Sequence, residues 1–192
     1  MVLSPFEIYK YRMTSPYGQR VLNGKAEFHG GVDLVGVGGT AVCSVCDGTV
    51  VQSRIVTDKT NLTWQWGNYV AVQAKDGTTV YYCHLDSRAV KKGDKVKAGQ
   101  RLGIMGNTGY SFGAHLHFEV RRNNQKINAA DYLGIPNKTG VYDVRSLNAE
   151  EYVGKIIDKV GFDKPADVKK ALLGVKHNCP DELYRKIYEK MK

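Results

Sequence analysis

Apolar and polar residues alternate with a period of two through much of the chain up to Arg122, and glycine interrupts the alternation at short intervals. Successive side chains of an extended chain point to opposite faces, so this pattern predicts half-buried β-strands. Asp47-Gly48 separates the apolar-rich runs 41–45 and 49–53, and Asp76-Gly77 separates 69–74 and 78–83; both arrangements predict hairpins. Residues 90–103 read as turns and short strands whose lysines point outward. The most regular alternation is His115-Leu116-His117-Phe118-Glu119-Val120-Arg121. It puts Leu116, Phe118 and Val120 on one face and His115, His117, Glu119 and Arg121 on the other, so a core on the apolar side leaves the histidines facing a groove.

The period changes after Arg122. Asn123-Asn124-Gln125-Lys126 is a polar turn, residues 128–133 close the β domain, and the Gly134 to Gly140 stretch marks a boundary. We draw the domains as 1–136, a linker over 137–145, and a small helical unit over 146–192. In the last of these, Ala149, Tyr152, Val153, Ile156, Ile157 and Val160 keep the three-and-four spacing of an amphipathic helix. Val168, Ala171 and Leu172 begin a second stripe after Pro165, and Leu183, Ile187, Tyr188 and Met191 a third after Pro180. The expected architecture is therefore mainly β, an antiparallel sheet with an open groove, followed by a C-terminal three-helix unit.

The chain has 192 residues, enough for one sizeable core and a small appendage. Its 21 glycines suit a turn-rich β domain. The net charge of +9 points to an anionic partner, such as nucleic acid, an acidic membrane surface or a bacterial wall. No nucleic-acid motif accompanies the charge, so no nucleic-acid partner is expected. No apolar run is long enough for a membrane span. The first residues lack a basic region followed by an apolar stretch, so no secretory signal is expected. Cys43-Ser44-Val45-Cys46 has the spacing of a zinc knuckle or redox pair, but no second such pair follows, and Cys43 lies in an alternating run that suits a buried strand.

Four of the five histidines fall in three short motifs: His29-Gly30-Gly31-Val32-Asp33, Tyr82-Cys83-His84-Leu85 and His115-Leu116-His117. Imidazole and carboxylate are natural zinc ligands, and a catalytic zinc takes three protein ligands and leaves one position open. His29, Asp33 and one of His115 or His117 would supply three, leaving two histidines for proton transfer. Glycines at 30 and 31 disfavour a helix, so this is not a helical H-E-x-x-H site with a glutamate base. The base must be a histidine, whose pKa near 6.5 suits proton transfer at neutral pH. Glu119 shares the histidine face, where it is either an orienting partner for a ligand or an exposed charge. Trp64, Trp66, Tyr110 and Phe112 lie in polar or glycine-rich stretches, where they either border the groove or pack structurally.

The ordered set resembles the M23 zinc metallopeptidases, the lysostaphin and LytM-type peptidoglycan endopeptidases. It comprises the His29 to Leu34 motif, Gly39-Thr40-Ala41-Val42, Asp47-Gly48-Thr49-Val50, Tyr82 to Leu85, Gly93 to Gln100 and Gly106 to Glu119. The resemblance covers roughly residues 16–122. It implies a LytM-type antiparallel fold, zinc held by His29, Asp33 and His117, and catalytic roles for His84 and His115. His115, beside a ligand on one strand face, is assigned the water proton, and His84 the oxyanion or a second proton exchange; the reverse order stays open. The implied substrate is bacterial peptidoglycan, cut at a stem peptide or a cross-bridge. The layout also resembles phage endolysins, made in the bacterial cytoplasm and released to the wall, with 146–192 as a wall-binding module or a structural cap. Two other readings compete. A catalytically inactive activator module would be favoured by missing ligands, and none is missing. A biotinyl or lipoyl carrier shares the Gly93 to Gln100 turn but needs a Met-Lys-Met tip, which does not occur.

Overall fold

Strand order follows from which alternating faces find each other. The computed structural model describes residues 4–144, so the three helices expected over 146–192 lie outside the described residues. In chain order the strands are β1 (Lys10–Ser15), β2 (Gly18–Leu22), β3 (Lys25–His29), β4 (Val32–Gly36), β5 (Ala41–Cys43), β6 (Gly48–Arg54) and β7 (Asn68–Ala74). They continue as β8 (Thr79–Arg88), β9 (Lys95–Val96), β10 (Arg101–Met105), β11 (Leu116–Arg122), β12 (Gln125–Ile127) and β13 (Gly140–Asp143). The main sheet runs β13-β1-β4-β11-β8-β7-β6-β9, with β12 on β11 and β10 bridging β5 and β8; β2 and β3 form a separate hairpin. All of these pairings are antiparallel.

The mainly β, antiparallel expectation holds. The hairpin across Asp76-Gly77 forms as β7 and β8, with Gly77 in the left-handed region that such a turn needs. The hairpin expected across Asp47-Gly48 does not form, because β5 pairs with β10 while β6 pairs with β7 and β9. Asp47 is instead occupied by a distant segment, accepting from the Ala98 backbone N–H at 2.9 Å and from Lys97 Nζ at 2.8 Å. Gly48 is needed for close approach: a Cβ there would collide with the Gln73 carbonyl of β7.

Cross-strand register builds the core. Residues directly opposite share a face, and Leu116 faces Leu34, Phe118 faces Val32 and Tyr82, and Val120 faces Val80. All seven are fully buried. The same register places Asp33, His117 and Cys83 in one row on the opposite face, so the core that buries Leu116 and Phe118 also fixes where a ligand row must lie. On that second face Cys83 packs with Tyr69 and Val56, flanked by Trp64, Trp66 and Tyr81.

Asn123 and Asn124 both take positive φ at the β11–β12 turn, and Asn128 caps a short helix, α1 (Ala129–Leu133), by accepting from the Ala130 N–H at 3.0 Å. Gly134 ends it in the left-handed conformation. The chain then returns through β13, whose residues pair with β1 from Lys10↔Asp143 to Met13↔Gly140, and the compact unit ends at Val144.

Candidate metal centre

His29 closes β3, Gly30 and Gly31 cross to β4, Asp33 is the second residue of β4, and His117 is the second residue of β11. His29 Nε2 lies 3.1 Å from Asp33 Oδ1, His117 Nδ1 lies 3.0 Å from the same oxygen, and the two ring nitrogens are 3.0 Å apart. Ligands about 2.0–2.1 Å from a tetrahedral zinc sit about 3.3 Å from one another. The three atoms therefore form one face of a zinc-sized tetrahedron. Among the described residues this is the one cluster of three His, Cys, Asp or Glu side chains with such spacing. Cys43 and Cys46 do not join it: both are free thiols, and burial pushes Cys43 up to about 11 and raises Cys46.

The outward nitrogen of each ligand ring shows which atom is left for a metal. His29 Nδ1 is 2.8 Å from the Pro16 carbonyl, which can only accept, so this nitrogen donates outward and Nε2 is the atom left to face a metal. His117 is turned the other way, presenting Nδ1 inward with Nε2 3.7 Å from Glu119 Oε2. Glu119 is 1% exposed, which rules out a solvated charge. Its carboxylate is paired by Arg121 and by Lys126 Nζ at 3.1 Å. Burial opposes its ionisation, but His117, Lys126 and Arg121 outweigh it and hold Glu119 at about 2. Asp33 behaves alike: burial would raise its pKa, yet hydrogen bonds and charge from His117 and His29 hold it well below the usual carboxylate range. In His117 burial works against the proton, and hydrogen bonds to Asp33 and Glu119 prevail, raising it to about 9 in the metal-free site.

His84 and His115 complete the cluster. Their ring centroids are 4.6 Å apart, and His84 lies 6.0 Å from His117. His115 Nε2 approaches Asp33 Oδ1 at 3.6 Å, while its Nδ1 is 2.8 Å from the Gly113 carbonyl and 3.2 Å from Ser111 Oγ. His84 Nδ1 is 2.7 Å from the Thr108 carbonyl. Both rings are thus held as Nδ1–H tautomers with Nε2 bare. Burial, then the neighbouring His115 and His117, lower His84 to about 4 and keep it neutral.

Strict alternation does not explain how His84 arrives. Cys83 pairs with His117, so the next residue should point into the opposite face. The β7–β8 register slips between Asn68↔Leu85 and Val70↔Tyr82, so Tyr69 faces both Cys83 and His84. His84 takes φ +62° in this bulge. That turn re-aims its ring to the metal side. Cys83 is buried, as its position suggests, but on the same face as His117.

The aromatic side chains divide. Trp66 packs on Tyr69 and Tyr81 at ring distances of 5.2 and 5.3 Å, with Arg121 over its face. Tyr110 and Phe112 remain 49% and 69% exposed and flank Ser111, which touches His115, so these two border the site.

Every residue expected to bind metal or act in catalysis is therefore brought to one place. The same ordered residues are matched by a family model. Residues 27–129 match Peptidase family M23. The chain belongs to this family. Its M23 relatives include the peptidoglycan DD-endopeptidase ShyA of Vibrio cholerae, 37% identical over 62% of this chain and 27% of that protein. The glycyl-glycine endopeptidase ALE-1 of Staphylococcus capitis is also 37% identical, over 79% of this chain and 40% of the relative. This M23 chain therefore spans less than half the length of either. The catalytic domain of the antimicrobial peptidase lysostaphin from Staphylococcus simulans superposes with a TM-score of 0.51 at 32% identity, covering 65% of this chain and 91% of that one.

Four contributors were given no role by the motif reading: the Pro16 carbonyl, Thr108, Lys126 and Arg20, whose Nη1 lies 3.2 Å from Asp33 Oδ2. Backbone carbonyls carry no sequence signature. Arg20 stands on a strand whose alternation is too weakly apolar to advertise it.

Proposed function

We propose that this chain is a zinc-dependent endopeptidase that hydrolyses amide bonds in bacterial peptidoglycan. The convergence of His29 Nε2, Asp33 Oδ1 and His117 Nδ1, with two bare histidine Nε2 atoms alongside, carries this reading. Zinc bound there would supply a Lewis acid that polarises the scissile carbonyl and acidifies water to a pKa near 7. His115, fixed by Gly113 and facing Asp33, accepts the water proton at Nε2 and later returns a proton to the leaving amine. His84 is neutral with its Nδ1–H held by Thr108, so its Nε2 first orients the water as an acceptor and becomes an oxyanion donor only on taking that water's second proton.

Both named endopeptidase relatives act on amide links, and the positive charge of this chain suits an anionic wall. Among the described residues no helix is long and apolar enough to cross a membrane. The segment 146–192 we propose as a wall-binding module or a cap on the catalytic part. From residue 141 onward 11 basic and 9 acidic residues give only +2 of the +9, which leaves +7 on the catalytic part as the main source of attraction.

The test is digestion of purified peptidoglycan followed by mass spectrometry of the fragments, with intact protein, His117→Ala and a deletion of residues 141–192. New amino termini should appear with the intact protein, disappear on chelation and return with zinc. Release of the same termini at the same rate by His117→Ala would sink the proposal. The termini also separate a D-alanyl link from a glycyl bridge. Wall pull-down that is unchanged by the deletion would assign the tail to a cap.

A further inference from the structure

Asp33 divides its two carboxylate oxygens between different partners. Oδ1 faces His29 Nε2 at 3.1 Å and His117 Nδ1 at 3.0 Å. Oδ2 accepts from Arg20 Nη1 at 3.2 Å. The arginine is itself held. Its Nε and Nη2 both donate to Glu27 Oε1 at 2.6 Å, and Nη1 donates to Ser15 Oγ at 2.8 Å. Arg20 and Glu27 face each other directly across the β2–β3 hairpin, so the hairpin register aims the guanidinium before any metal arrives. Ser15 Oγ also lies 3.3 Å from His29 Nδ1, which ties this network to a second ligand. Arg20 precedes the residues that match the family model.

We propose that Arg20 is a positioning residue for the metal centre: it occupies the second oxygen of Asp33, makes the carboxylate a one-oxygen ligand and so keeps a coordination position free for water. The inference rests on the metal site of the previous section. A carboxylate whose second oxygen has no partner can swing both oxygens onto a cation, as carboxylates do around larger ions. Here that swing would break a charge-assisted hydrogen bond on a side chain only 24% exposed. Arginine is suited to the task because its planar fork serves Glu27 with one edge and Asp33 and Ser15 with the remaining nitrogen; a single ammonium cannot span all three.

The experiment uses Co²⁺ alone as the probe, titrated into metal-free full-length wild type and Arg20→Ala, with visible absorption as the readout. Wild type should give the intense band of four-coordinate Co²⁺. Arg20→Ala should give a weaker band as coordination number rises, with affinity reduced about 10- to 100-fold. Free guanidinium at low concentration should restore the band, an effect that a generally loosened fold would not show. Identical spectra and affinities in the two proteins overturn the proposal. Should Arg20→Ala not fold, zinc-edge X-ray absorption of wild type decides: one carboxylate oxygen in the inner shell supports the proposal, and two overturn it. Failure of wild type to take up either metal overturns the metal site itself, a separate outcome from an indifferent Arg20.

Discussion

Gly30 and Gly31 stand side by side between two ligands, and replacing each by alanine should have unequal consequences. A Cβ at Gly31 would lie 2.5 Å from the Phe118 carbonyl oxygen and 2.9 Å from His117 Cε1 and Nε2. Ordinary contact begins at 3.4 Å, so the carbonyl or the crossing must move by about 0.9 Å. Neither neighbour can yield cheaply: Phe118 is fully buried and paired to Val32, and the His117 ring is held by Asp33. Overpacking of this kind costs about 1–3 kcal/mol, and the reduced freedom of the unfolded chain returns about 0.4–1 kcal/mol. Gly31→Ala should thus destabilise by roughly 1.3 kcal/mol, or about 3–5 °C in Tm. At Gly30 the Cβ would meet only the far end of the Lys126 side chain, which is 42% exposed and can swing away at the loss of a partly solvated ion pair. Gly30→Ala should therefore stay within about 1 kcal/mol of wild type. Thermal melting of the metal-free proteins measures the first effect, and zinc titration against a chromophoric chelator measures the second. Because the His117 ring must shift, Gly31→Ala should lose at least about tenfold in zinc affinity, equivalent to about 1.4 kcal/mol. Equal melting points and equal zinc affinities for the two variants would refute the reasoning.

Other expectations follow from the same geometry. In the metal-free protein His117 is raised to about 9, above its unfolded value, so its ion pair with Asp33 stabilises the apo fold at neutral pH and fades as pH rises through about 9. Metal binding at Nδ1 must expel that proton, so zinc-binding heats at pH 7 should vary with buffer ionisation enthalpy by about one proton; no buffer dependence would contradict the assignment. His115→Ala and His84→Ala should each lower kcat by about 10²–10⁴ while leaving stoichiometric zinc, as read by elemental analysis; loss of zinc would place the residue among the ligands instead. Cys43 and Cys83 are buried, and Cys43 is pushed up to about 11, so a thiol reagent at pH 8 should label Cys46 well before either, and peptide mapping with the reverse order would refute this.

The parts legible in the sequence were those governed by neighbours along the chain. The Asp76-Gly77 turn needed only a residue tolerant of positive φ between two alternating runs, and it formed. The Asp47-Gly48 pair has the same local signature, yet β5 pairs with β10, and Asp47 bonds Lys97 and Ala98 far along the chain. Alternation over residues 116–121 placed His117 and Glu119 correctly, since one face of that strand had to bury Leu116, Phe118 and Val120. Alternation failed at His84, where a bulge against Tyr69 reverses the side chain.

By itself the sequence determined a β domain and the side-chain types of the centre, together with their ordered motifs. Those are properties of local period and of residue chemistry. Tertiary structure alone decided which atom of each residue faces inward. His29 offers Nε2 because Pro16 holds Nδ1, His84 and His115 do so because Thr108 and Gly113 hold theirs, and His117 offers Nδ1 to Asp33 with Nε2 turned toward Glu119. Arg20 reaches Asp33 only because the β2–β3 hairpin carries it there. Carbonyls are identical in every residue and act through position, so their choice of partner emerges only when strands distant in sequence are brought into register.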